Sequence, residues 1–233
     1  MRDAFALLTT FGRRGGRLRA GALPWFPLVG LALGAGLGCV WWATDRLWPR
    51  LLAGALTVAV DLAMTGALHV DGLADAADGL LPHATRERRL EIMRDPGTGA
   101  FAVAVVGIVI VLRVCALASR APDIALLAGV WCAARAVVAT VPRFVPYARD
   151  HGMASPLLDG ARAWPALLVV PAAGIAALGA GAPGAIAVAA GALAAVGVVA
   201  FAWRRLGGFT GDVLGASVVV AETVALVVAA AKW

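Results

Sequence analysis

The chain has 233 residues, 61% of them hydrophobic and 15% charged, with a formal net charge of +6 and a mean hydropathy of +0.87; soluble domains run nearer roughly 45–50% apolar and about 25% charged. That balance excludes a soluble globular domain and, over most of the chain, disorder. The apolar runs are long and continuous instead of alternating, which excludes a transmembrane β-barrel, and the positive charge reads as the basic face of a membrane protein without a nucleic-acid partner.

Residues 1–22 open with apolar Phe5, Leu8 and Phe11 and continue into Arg13, Arg14, Arg17 and Arg19, the pattern of a short basic interfacial segment. Apolar runs follow near 24–44, 50–68, 100–118, 124–142, 164–182, 184–203 and 213–231, each close to the roughly 20 residues that a bilayer-crossing helix needs. The first run exceeds the roughly 7–15 apolar residues of a cleaved signal peptide, so a retained span is expected. The expected fold is therefore all-α: a polytopic integral membrane helix bundle of about seven transmembrane helices, forming one membrane-embedded domain over residues 1–233. With the N-terminus in the cytoplasm, 14 of the 20 basic residues fall inside. Arg46, Arg50, Arg120 and Lys232 fall outside, and Arg113 and Arg135 lie within spans, as the positive-inside rule requires. Cys39, Cys115 and Cys132 are isolated in apolar stretches and form no metal or disulfide pattern.

The acidic residues carry the chemistry. Seven of 14 lie between Asp61 and Asp95, centred on LHVDGLADAADGL, where Asp71, Asp75 and Asp78 recur at i, i+4 and i+7 and share one helical face. Like charges stacked in this way repel, and a divalent cation, Mg2+ with its preference for carboxylate, water and phosphate oxygens, relieves them economically. The alternative is a solvated helix surface, against which Gly72 and Gly79 argue by allowing a ligand close to the backbone. Two more loops on the same expected membrane face, MRDPGTGAF with Asp95 and GGFTGDVLGA with Asp212, combine an aspartate with glycines before a span. Gly97, Gly99, Gly208 and Gly211 can turn backbone N–H groups toward phosphate at the helix starts; helix capping by the aspartates is the competing reading. His69, beside the acidic face, is a candidate base or phosphate ligand. Arg86, Arg88, Arg89 and Arg94 are secondary phosphate-binding candidates. Within the spans, Arg135 is expected to pair with Asp61 or Glu222, because lone charges at that depth are costly.

The motifs FPLVG at 26–30, TGALHVDGLADAADGL at 65–80, RRLEIMRDPGTGAF at 88–101, VPYARDHGMAS at 145–155 and GGFTGDVLGA at 207–216 resemble those of the cobalamin synthase family, the adenosylcobinamide-GDP ribazoletransferases. The resemblance implies a catalytic membrane domain of late cobamide synthesis that joins adenosylcobinamide-GDP to alpha-ribazole, or to its 5'-phosphate, and releases GMP with Mg2+. The ribose 3'-hydroxyl would attack the phosphorus nearer the corrinoid. On this reading Asp71, Asp75 and Asp78 bind metal, one of them available as base, and Asp95 and Asp212 complete the site. Gly72 and the loop glycines approach substrate. The PGTG loop departs from relatives that carry a basic residue there, a contact that Arg94 or Arg149 would replace. The implied location is the bacterial cytoplasmic (inner) membrane, with membrane lipid around the chain, the active site on the cytoplasmic side and a homo-oligomer left open. A CDP-alcohol phosphotransferase is the nearest competing enzyme, but the arginine and the later aspartate pair of its signature are missing after Asp71 and Gly72. An ion-coupled transporter explains the spans and intramembrane charges but gives the glycine-flanked acidic loops no purpose.

Overall fold

Continuous apolar segments become helices because only a helix satisfies all its backbone N–H and C=O groups within itself, as hydrocarbon surroundings demand. The computed structural model describes residues 1–11, 21–150, 152 and 155–233, and among these the chain is helical, with a lone bridge between Tyr147 and Phe209 in place of any sheet. The helices are α1 (Arg2–Leu8), α2 (Phe26–Leu47), α3 (Arg50–Thr65), α4 (Leu68–Leu80), α5 (Arg86–Ile92), α6 (Ala100–Ala118), α7 (Ile124–Phe144), α8 (Val169–Ala180), α9 (Ala182–Leu206) and α10 (Gly211–Ala229).

Five of them, α2, α6, α7, α9 and α10, are long and apolar enough to cross a membrane, and the bent pair α3–α4 makes a sixth if counted as one span. The count differs from the seven hydropathic runs for two reasons. The run at 50–68 ends as the 16-residue α3, where Gly66 (φ 59°) and Ala67 (φ 56°) both take left-handed backbone and α4 leaves at 91°. A left-handed alanine costs roughly 1–2 kcal/mol, so the packing of α4 must hold this bend. The run at 164–182 is a 3-10 turn, Trp164–Leu168, followed by the 12-residue α8. At 1.5 Å per residue α8 reaches about 18 Å, well short of a hydrocarbon core of about 30 Å.

Helix α7 is the axis of the bundle and packs against α2, α8, α9 and α10. Gly30, Gly34 and Gly38 run down the α2 face that meets it, and a methyl group at any of them would strike Trp131, Leu127 or Ile124. Between lipid-exposed helices, which share no hydrophobic drive toward each other, such close backbone approach is what provides attraction. The N-terminal segment is fastened to this bundle: Ala4 and Leu8 are buried, and Thr10 donates its N–H to Met64 O at 2.9 Å and its hydroxyl to Ala63 O at 3.1 Å. The arginines at 13, 14, 17 and 19 lie outside the described residues.

The intramembrane charges form one neutral network. Arg135 pairs with Glu222, as expected, and not with Asp61. Arg113 supplies the missing partner, reaching Asp61 at 2.8 Å and Glu222 at 3.1 Å, and Trp131 donates its indole N–H to Asp61 at 3.3 Å. Two guanidinium and two carboxylate groups thus tie α3, α6, α7 and α10 together in the interior, where an unpaired charge would be costly.

Candidate active site

The bend at Gly66–Ala67 turns α4 across the start of α10. The two helices meet at Gly72 and Gly215: a methyl group on Gly72 would lie 2.9 Å from Asp212 O and 3.1 Å from Asp212 Cα, and one on Gly215 would lie 3.3 Å from His69 O. Gly72 therefore allows the close approach of another helix, and it also borders the cavity beside the crossing. The crossing gathers the acidic groups, so that half-buried Asp75 lies within the electrostatic reach of Asp212, Asp71, Asp78 and Arg149.

Arg149 organises the opposite wall. Its Nη2 donates to Asp212 Oδ2 at 2.8 Å and to Met93 O at 3.2 Å, and the Thr210 hydroxyl donates to the same Asp212 oxygen at 3.2 Å. The strand-like stretch that carries Arg149 is held by Ala148 N–H to Phe209 O (2.8 Å) and Phe209 N–H to Pro146 O (3.0 Å). Tyr147 packs edge-on to Phe209 with ring centroids 5.3 Å apart. Gly208 makes this pairing possible, since a methyl group there would collide with the Pro146 carbonyl; its task is backbone packing, and the phosphate-facing role expected of it is replaced.

Other expected ligands are occupied elsewhere. Asp78 is buried, and its two oxygens accept from Gly99 N–H at 2.6 Å and Ala102 N–H at 3.0 Å, so it caps the start of α6, where free N–H groups and the helix dipole favour a carboxylate. Gly97 N–H donates to Asp95 Oδ1 at 2.8 Å within one exposed turn. The Gly97 and Gly99 donors thus reach aspartates, and the carboxylate that caps α6 is Asp78 from α4, not Asp95 of the adjoining loop, for which capping was the competing reading. Arg94 is exposed. Arg86 binds Leu206 O at 2.6 Å and Ala148 O at 3.2 Å, and Arg89 caps the end of α4 through Gly79 O (2.9 Å) and Leu80 O (2.7 Å); both brace the loops.

Beside the crossing lies a cavity of about 280 Å3 whose polar wall includes His69, Asp71, Arg149 and Asp212, with Gly72 and Gly211 at its edge. Arg135 and Tyr147 also line it, two residues absent from the sequence candidates. Tyr147 had a signal, being the sole tyrosine of the chain and lying inside a polar motif. Arg135 had none, because its charge was accounted for by a buried pair.

Among the described residues no three His, Cys, Asp or Glu side chains are gathered into a metal cage. A closed cage is a calcium or zinc requirement; Mg2+ is commonly held by one or two carboxylates with water and substrate phosphate completing its octahedron. The donor set around Asp75, which with Asp71 and Asp212 makes three carboxylates offset by one guanidinium, suits such an open site.

A family model described as cobalamin-5-phosphate synthase matches residues 1–230. The chain belongs to that family. It is 45% identical over 214 residues to the adenosylcobinamide-GDP ribazoletransferase of Alkalilimnicola ehrlichii, covering 89% of this chain and 83% of the relative. Identity to the protein of the same name from Bradyrhizobium diazoefficiens is 40% (88% and 81% covered), and to that from Chlorobaculum tepidum 35% (91% and 86%). No solved structure matches the chain. The family's motifs thus converge at one end of the bundle, with the α4–α10 crossing at their centre.

Proposed function

We propose that the α4–α10 crossing joins adenosylcobinamide-GDP to alpha-ribazole or its 5'-phosphate, yielding adenosylcobalamin or its phosphate and GMP. The observation that carries this reading is the family relationship over nearly the whole chain, and the acidic crossing supports it chemically. The ribose 3'-hydroxyl attacks the phosphorus nearer the corrinoid, a new P–O bond forms, the pyrophosphate P–O bond breaks, and GMP leaves. Asp75, half-buried beside Asp71 and Asp212, accepts the hydroxyl proton. Arg149, anchored on Asp212 and Met93 O, orients the pyrophosphate. Asp71 and Asp75, with Asp212 beside them, would hold Mg2+, which when bound offsets phosphate charge and aligns the oxygens. Asp78 and Asp95 are left out of this assignment because their carboxylates already hold backbone N–H groups.

We further propose that the site faces the cytoplasm from the bacterial inner membrane. In support, the site end carries Arg86, Arg88, Arg89, Arg94, Arg149, Arg204 and Arg205, against Arg46, Arg50, Arg120 and Lys232 at the other end. The test is GMP and cobamide formation by protein in liposomes supplied with adenosylcobinamide-GDP, alpha-ribazole 5'-phosphate and Mg2+. Wild type forms both products and Asp71→Asn forms little; no product from folded wild type would overturn the reaction, and full activity in Asp71→Asn would overturn the metal assignment.

A further inference from the structure

We infer that the cavity beside the crossing is the seat of the ribazole nucleoside, and that the corrinoid nucleotide stays outside it. The inference rests on the proposed reaction and concerns which of its two substrates occupies which part of the site. Size decides first. At about 280 Å3 the cavity lies at the small end of ligand pockets, roughly 300–1,000 Å3, enough for one nucleoside and far too small for a corrin macrocycle.

The wall chemistry then separates the two nucleosides in the reaction. Leu8, Phe26, Leu68, Val138, Leu214 and Val218 make most of the lining apolar. The dimethylated benzimidazole of alpha-ribazole has no hydrogen-bonding edge beyond a single ring nitrogen, so these side chains cover it without loss. Guanine carries donors and acceptors around its whole rim, and those turned toward the apolar side chains would stay unpaired, at a cost of roughly 1–3 kcal/mol for each buried polar group, whereas the polar groups lie at one side of the cavity only. Polar atoms suited to the ribose and ring nitrogen are also present. His69, Asp71, Tyr147, Arg149 and Asp212 line the cavity beside the apolar side chains, with Arg135, only 1% exposed, behind them. Asp71 and Asp212 border both the cavity and the acidic crossing, so a ribose held there turns its hydroxyl toward the carboxylates where the pyrophosphate arrives. Helix α1 contributes Leu7 and Leu8 to the lining, which gives the docked N-terminal segment a part in holding the base.

The experiment is calorimetric titration of alpha-ribazole into the full chain in lipid nanodiscs, together with KM values for each substrate, for wild type, Val138→Trp and the milder Leu214→Phe. Melting temperatures identify which variants are folded. Filling the cavity is expected to weaken alpha-ribazole binding and raise its KM by about tenfold or more, while the KM for adenosylcobinamide-GDP stays within about twofold. An increase confined to the corrinoid substrate would assign the cavity to the guanosine end and overturn the inference. Unchanged constants for both substrates in a folded variant would also overturn it, as would a copurifying lipid that alpha-ribazole does not displace. Failure of wild type to release GMP defeats the reaction itself, whereas GMP release with ribazole binding indifferent to both substitutions defeats only the seat.

Discussion

Two groups of charges lie close together in this bundle and have opposite characters. In the interior, Asp61, Arg113, Arg135 and Glu222 are two positive and two negative groups joined into a closed set. At the α4–α10 crossing, Asp71, Asp75 and Asp212 have one basic neighbour, Arg149, and Asp71 is exposed. A neutral, buried set holds helices together, and of its members Arg135 also reaches the cavity. An acidic, open set leaves negative charge that solvent or an arriving cation can offset. The contrast teaches that in a membrane chain the count of charges is a poorer guide to function than whether they balance.

Substitutions can break or sharpen this contrast. The largest expected effect is on rate at the crossing: Asp75→Asn should lower GMP release about 10²- to 10⁴-fold, the usual range for a general base, with the melting temperature nearly unchanged. A loss of folding instead would make Asp75 structural and erase the distinction. Glu222→Gln should do the reverse, leaving two buried guanidinium groups with one carboxylate and destabilising the fold by about 3–5 kcal/mol, read as a large drop in melting temperature in detergent. If that variant melts normally and only turnover suffers, the interior set belongs to the catalytic apparatus. Arg149→Ala removes the charged bond to Asp212 and should slow turnover about 10- to 100-fold, in line with the roughly 1.5–3 kcal/mol of such a bond. The smallest effect is expected for Asp78→Ala, a loss of about 0.5–2 kcal/mol in stability from the uncapped α6 with turnover reduced only in proportion to folded protein. Abolished turnover at an unchanged melting temperature would return Asp78 to the ligands.

Much of the fold was legible because membrane burial is local: an apolar run of the right length must become a helix. The runs at 50–68 and 164–182 misled because hydropathy counts residues and is blind to direction and helix type, so it passed over the bend at Gly66–Ala67 and the 3-10 start of the short helix Trp164–Ala180. The acidic motif was legible too, since i, i+4, i+7 spacing puts Asp71, Asp75 and Asp78 on one face of any helix. Their division of labour was not. Asp78 caps a helix that begins 22 residues later, Gly72 meets a residue 140 positions away, and nothing in either local pattern announces it.

Composition and spacing therefore settle what each segment is made for, helix, span or acidic face, because those properties depend on neighbours a few residues away. Which carboxylates remain open to substrate, which arginine reaches the cavity and which is neutralised depend on where helices cross. That is decided by contacts between glycines and side chains far apart in the chain, where close packing and the cost of an unpaired buried charge select one arrangement.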